Sequence, residues 1–205
     1  YVANTGKPMI ISTGMANLTE IQEAVDTALS SGCSELILLH CISAYPAPIA
    51  ESNLRTLQDL ASRYPVVVGL SDHTLGTTAA VTAVAMGACF IEKHFTLSRK
   101  DPGPDSAFSL EPNEFKTLCQ SSHDAWSALG KVGYEQKESE KINTLFRRSL
   151  YFVKDIKKGG TVTRDNIRSI RPGFGLAPKH FQEIIGKTLL NDVERGNPVD
   201  WQDFI

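Results

Sequence analysis

Along the first 130 positions, apolar residues fall in short continuous runs, each followed by a stretch with helical spacing. The runs are "KPMIIST" (7–13), "LILLHC" (36–41), "VVVGL" (66–70) and "ACFIEKHF" (88–95). They are unbroken rather than alternating, the pattern of strands whose two faces are both covered in a parallel sheet. After the first run, Asn17 and Glu20 make a helix-capping signal, and Leu18, Ile21, Val25, Ala28 and Leu29 recur at helical spacing until Gly32. Leu54, Leu57, Leu60 and Ala61 form a second stripe, and "TTAAVTAVAMG" a third helix. A fourth helix is predicted from about 112 to 129, with Phe115, Leu118, Ser122, Trp126 and Leu129 down one face. Strands starting near 8, 36, 66 and 88 have the spacing of consecutive βα units. An open doubly wound sheet fits four such units, and so does half of a (β/α)8 barrel, which takes eight units and about 250 residues.

The pattern changes after Gly130. "KVGYEQKESEKINTLF" (131–146) is a polar, charged connector, and "RRSLYFVKD" (147–155) reads as an isolated strand. Beyond it the chain repeats itself: "DIKKGGTVTRDNI" (155–167) aligns with "DVERGNPVDWQDF" (192–204), at an offset of 37 residues. Two such copies predict a small pseudo-symmetric, β-rich domain built around paired glycine turns. The expected division is 1–140, with a connector to about 146, followed by 147–205.

Composition narrows the function classes. The chain is 41% hydrophobic and 21% charged, with a net charge of −2 and both signs interspersed. Neither a nucleic-acid partner nor a membrane surface is indicated, which leaves small-molecule chemistry. No apolar run approaches the roughly 18 residues that span a bilayer. Cys33, Cys41, Cys89 and Cys119 are widely separated, without a CxxC pair, and read as reduced cytoplasmic thiols. The chain opens on Tyr1, just upstream of a strand, so a preceding portion is expected to be missing.

Two strand-like runs end on a histidine, His73 and His94. Neighbouring parallel strands lie about 4.8 Å apart, so residues at the same end of both can share one ligand. Carboxyl ends of strands are also where α/β sheets place their active sites. Ser71 shares a face with His73, and Glu92 shares one with His94. Two imidazoles, with water and substrate oxygens completing the shell, suit Mn²⁺ or Mg²⁺, and Mn²⁺ better matches nitrogen. The competing readings are two ordinary polar residues at loop entrances, or a Schiff-base role for Lys93, which alternates away from His94 and is expected to face outward. Asp105, in the Pro/Gly-rich "RKDPGPDSAFS" (99–109), either binds substrate hydroxyls or forms an Asx-turn. Tyr45 in "SAYPAP" either donates to a sugar oxygen or packs on its prolines, and Arg171 in "RPGFG" either holds a carbonyl or carboxylate or faces solvent. His40 reads as a satisfied core histidine, and His123 and His180 as solvated.

"KPMIISTGMA", "LLHCISAYPAP", "GLSDHTLG", "IEKHFTL", "GPDSAFS" and "RPGFG" resemble, in this order, motifs of the nonulosonic acid synthases, the family that contains the sialic acid (N-acetylneuraminate) synthases. The likeness covers the whole chain, and the tail resembles the antifreeze-like (SAF) domain that ends these enzymes. "SAYPAP" and "GPDSAFS" look closer to the pseudaminic acid branch than to the sialic acid branch, which has Asn where Ser43 stands. The resemblance implies a fold of class α/β: the C-terminal half of a TIM barrel, from the fifth strand onward, followed by a β-rich SAF domain. The absent strands would carry the family's phosphoenolpyruvate-binding lysines and a glutamate on the sugar side. The implied reaction condenses phosphoenolpyruvate with an acetamido sugar, 2,4-diacetamido-2,4,6-trideoxy-altrose for the pseudaminic branch, and releases phosphate. His73 and His94 would hold the divalent metal. Ser12 and Ser71 would hold phosphoenolpyruvate, Tyr45 and Asp105 would face the sugar, and Ser43 joins the substrate-binding set. In a domain-swapped homodimer, Arg171 would complete the neighbouring subunit's site. Alternatives are an N-acetylneuraminate or legionaminate synthase, and, from another class, a non-catalytic carbohydrate-binding or dimerisation module.

Overall fold

Each apolar run of the first 130 residues becomes a parallel strand, and each periodic stretch becomes the helix that follows it. In the computed structural model, which describes all residues Tyr1–Ile205, these are β1 (Met9–Ser12), α1 (Leu18–Ser30), β2 (Leu36–Cys41), α2 (Thr56–Arg63), β3 (Val67–Asp72), α3 (Thr78–Ala85), β4 (Ile91–Lys93) and α4 (Pro112–Leu129). The strands form one curled parallel sheet in the order β1-β2-β3-β4, half of a barrel wall. The capping signal is realised: Asn17 accepts from the Glu20 amide while the Glu20 carboxylate accepts from the Asn17 amide. One face of the sheet (Met9, Ile11, Leu36, Leu38, Val68, Leu70) packs with Val25, Ala28, Leu57 and Leu60 of the helices into the main core. No helix is long and apolar enough to cross a membrane.

Two elements differ from expectation. The fourth run pairs only over Ile91–Lys93 as regular strand, although the Cys89 amide already donates to the Val68 carbonyl at 2.9 Å. Along α4, Leu118 is buried, whereas Trp126 and Leu129 are 65% and 52% exposed. The reason is length: at about 1.5 Å per residue, α4 outruns the much shorter α3 against which it packs, so its later turns have no cover from that neighbour.

The chain divides into two units, Tyr1–Lys131 and Val132–Ile205. In the second, β5 (Ser149–Phe152) and β6 (Ile167–Ile170) form an antiparallel pair, and a short helix, α5 (Phe181–Ile184), follows. Much of the remaining pairing is made by single bridges and turns, and it follows the sequence repeat. Ile156 and Val193, equivalent in the two copies, exchange both backbone hydrogen bonds at 2.9 Å. Asp155 accepts from the Arg195 amide at 2.7 Å, and its counterpart Asp192 from the Lys158 amide at 2.8 Å. Gly159 and Gly196, at φ 80° and 97°, occupy the left-handed region that each turn needs. Phe152, Leu150, Val162, Ile167, Ile184, Leu189 and Val199 form a core of their own, all fully buried.

Candidate functional site

His73 and His94 follow β3 and β4 by one residue, and the register Asp72↔Lys93 sets them side by side. Both are anchored through their own carbonyls. The His73 carbonyl accepts from the Ala47 amide and the His94 carbonyl from the Leu110 amide, each at 2.9 Å. The loops that supply these amides are the ones carrying Tyr45 and Asp105, so the main chain itself draws four candidate side chains to one end of the sheet.

The imidazole centroids are 5.1 Å apart. The Tyr45 ring lies 4.3 Å from that of His73 and 5.8 Å from that of His94. Phe108 closes the cluster, 5.0 Å from His94 and 5.9 Å from Tyr45. His73 Nδ1 is 2.9 Å from the Ile42 carbonyl oxygen. A carbonyl only accepts, so Nδ1 carries the hydrogen and the neutral ring keeps its lone pair at Nε2, the form that ligates metals. The sulfur of buried Cys41 lies 3.7 Å from the same nitrogen. His94 Nδ1 stands 3.6 Å from Asp105 Oδ2. Asp105 makes no side-chain cap to the turn that follows it, and its carboxylate is half exposed.

Ser71, buried, donates to Glu92 Oε1 at 2.6 Å on the same face as the histidines. Ser12 is exposed at the end of β1. Ser43 packs against Gly14: a Cβ there would come within 2.0 Å of Ser43 Oγ and displace the hydroxyl from its present position. Arg171 belongs to the second unit and lies exposed just after β6. Lys93 turns away from His94 as expected, but not into solvent. It is buried against the helix-covered face with its ammonium 2.7 Å from Asp72, so it offers no free amine to a ligand beside the histidines, because the helix layer sits on that side of the sheet. His40 is buried, its Nε2 2.7 Å from the Ser52 carbonyl.

No three His, Cys, Asp or Glu side chains gather closely enough to hold a metal. A cation at this end of the sheet would have only the two imidazoles as protein donors, with oxygen ligands from water or substrate completing its shell. Phe108 and the Ile42 carbonyl were not among the expected site groups, and Glu92, expected on the face of His94, had no role assigned to it. Phe108 lies within "GPDSAFS" and Glu92 within "IEKHFTL", one alternation from the histidine; a backbone carbonyl leaves no signal in sequence.

Residues 1–134 match the NeuB family and residues 147–205 the SAF domain. The pseudaminic acid synthase of Campylobacter jejuni (strain 81-176) is 42% identical over 203 residues, 99% of this chain and 59% of that protein. The N,N'-diacetyllegionaminic acid synthase of Legionella pneumophila is 40% identical over 207 residues, 98% of this chain and 58% of that protein. Among solved structures, the spore coat polysaccharide biosynthesis protein SpsE of Bacillus subtilis superposes over 100% of this chain and 63% of its own, with TM-score 0.61 and 32% identity. The chain thus spans about three-fifths of the length of the curated relatives it matches.

Proposed function

Because the chain belongs to the NeuB family and carries a SAF domain, we propose that it serves a nonulosonic acid synthase that condenses phosphoenolpyruvate with an acetamido sugar in its open aldehyde form. The observation that carries this reading is the convergence of His73 and His94 at adjoining strand ends, 5.1 Å apart, with His73 held in the tautomer that frees Nε2. The two imidazoles would hold Mn²⁺ or Mg²⁺. When bound, such a cation supplies Lewis-acid polarisation of the aldehyde oxygen.

The surrounding side chains orient the reactants. Tyr45 and Phe108 wall the sugar, and Asp105 accepts from one of its hydroxyls. Ser12 and Ser71 donate to phosphoenolpyruvate, Ser71 after leaving Glu92, and Ser43 completes the substrate-binding set. C3 of phosphoenolpyruvate bonds to the aldehyde carbon, water adds at C2, and the C2–O bond to phosphate breaks. Arg171 of a second copy would contact the acetamido group in a homodimer. With four free thiols, we assign the reaction to the cytoplasm.

The motifs "SAYPAP" and "GPDSAFS" favour the pseudaminic substrate, while similar identity to the legionaminic enzyme keeps its sugar as the second reading. The test is phosphate release from phosphoenolpyruvate by the polypeptide containing these 205 residues, with Mn²⁺ and each of the altrose, legionaminate-precursor and N-acetylmannosamine sugars. Release with the altrose sugar, abolished in His73→Ala and His94→Ala, is expected. Release unaffected by both substitutions would overturn the metal assignment, and release with another sugar alone would overturn the substrate. Activity restored by mixing inactive His73→Ala and Arg171→Ala chains is the expected sign of a shared site.

A further inference from the structure

Asp72 and Lys93 each precede one of the two histidines and face each other in the β3–β4 register. Strand alternation sends them to the helix-covered side, opposite the imidazoles. There Asp72 Oδ2 and Lys93 Nζ meet at 2.7 Å, with only 1% and 2% of their side chains exposed. Both are also tied to the residue beyond His73: Asp72 Oδ1 accepts from the Thr74 amide at 2.9 Å, and Lys93 donates to the Thr74 carbonyl. His73 therefore sits in a loop of main chain clasped on both flanks by a pair whose other end is the neighbour of His94.

A buried ion pair contributes little net stability compared with apolar side chains of the same size, because desolvation offsets the attraction. Two charges behind the site thus need a reason other than burial. β4 supplies one, since its regular pairing with β3 spans only three residues, Ile91–Lys93. A strand this short has few ladder bonds to set its register, and a one-residue slip would turn His94 to the wrong face.

We propose that Asp72 and Lys93 are positioning residues: a charged staple on the back of the sheet that fixes the separation and facing of His73 and His94. Its functional consequence rests on the two-imidazole reading above. The test replaces the pair in the full chain with Asp72→Asn/Lys93→Met, which removes both charges and the cross-strand link while keeping an acceptor for the Thr74 amide. Two quantities are compared with the unsubstituted chain: metal-free nuclear Overhauser contacts between the His73 and His94 rings, and Mn²⁺ affinity.

The expected result is a folded protein whose ring-to-ring contacts fade and whose Mn²⁺ binding weakens by about tenfold or more, as when outer partners of metal ligands are lost. Lys93→Arg, which keeps the charge and the link, should restore most of both. Unchanged ring contacts and unchanged affinity in the folded double variant would overturn the proposal. If it fails to fold, Asp72→Asn/Lys93→Leu, which likewise removes both charges and the cross-strand link, is read by the same criteria. Should the unsubstituted chain not bind Mn²⁺ while the variant still loses the ring contacts, the metal reading fails and the staple stands.

Discussion

In the second unit, the same solution appears twice. Asp155 and Asp192 each accept from the backbone amide of the other copy's turn, and Ile156 and Val193 pair with each other. Each copy completes the partner that resembles it, and the core closes within the unit. In the first unit, β1 and β4 each have a neighbour on one side only, and Ile10 and Val67 remain 48% and 46% exposed. Expressed without further strands, such edges would offer their backbone donors and acceptors to other chains. The first unit gathers the rings of His73, His94, Tyr45 and Phe108 at adjoining strand ends, whereas the second closes its core within itself.

The strongest way to break this contrast is to separate the units. Residues 132–205 expressed alone should unfold cooperatively in urea as a monomer, because their core and pairing are internal. Residues 1–131 alone should self-associate in sedimentation and unfold at a lower urea midpoint, because their edges are not. A monomeric 1–131 fragment with a midpoint equal to that of the other would end the comparison.

The sequence showed the two units unequally, for physical reasons. Helix–strand alternation in the first is legible because a strand covered on both faces must be apolar throughout, as Leu36–Cys41 is, and because helix starts announce themselves, as Asn17 and Glu20 do. Which strand end gathers which side chain was legible only for the histidines, whose position after an apolar run is a one-dimensional fact. Phe108 enters the site because the Leu110 amide reaches the His94 carbonyl, a contact between segments with no periodic signature. Lys93 was placed on the correct face by alternation, yet its burial depends on Asp72 lying opposite, which only register reveals. In the second unit, the repeat pointed to a pseudo-symmetric β-rich domain with paired glycine turns, although regular strand is confined to two four-residue segments, Ser149–Phe152 and Ile167–Ile170. The turns consume the rest.

A smaller effect sharpens the contrast within one fold. Lys93→Met alone leaves Asp72 buried, charged and without its partner, which should destabilise the first unit by about 3–5 kcal/mol. Asp72→Asn/Lys93→Met should recover most of that loss, since no buried charge remains. The second unit should be indifferent to both. Each unit holds one tryptophan, Trp126 and Trp201, so urea unfolding followed by fluorescence in Trp126→Phe and Trp201→Phe backgrounds reads the units separately. Equal shifts at both probes would mean that the units unfold as one.

The smallest expected effect compares how each unit responds to acid. In the first, the Arg99 guanidinium and then the Glu111 amide hold the Glu114 carboxyl down, from its ordinary value to about 2. In the second, the Lys157 ammonium and then the Lys158 amide hold Asp192 below its ordinary value. A carboxylate whose pKa is lower in the folded state contributes stability in full above its unfolded pKa and loses it as pH falls through the folded one. For Glu114 that window runs from 4.5 down to about 2. Both groups lie at the surface, where solvent screens the interaction, so the shifts in urea midpoint should be slight. Glu114→Gln should flatten the acid side of the Trp126 profile alone, and Asp192→Asn that of the Trp201 profile alone. The internal symmetry of the second unit is broken in charge at this point, because Glu194 occupies the position equivalent to Lys157. Asp155→Ala should therefore cost the backbone bond from the Arg195 amide without removing an ion pair, and a flattening of the Trp201 profile as large as that of Asp192→Asn would show that the amide, not the lysine, governs the response.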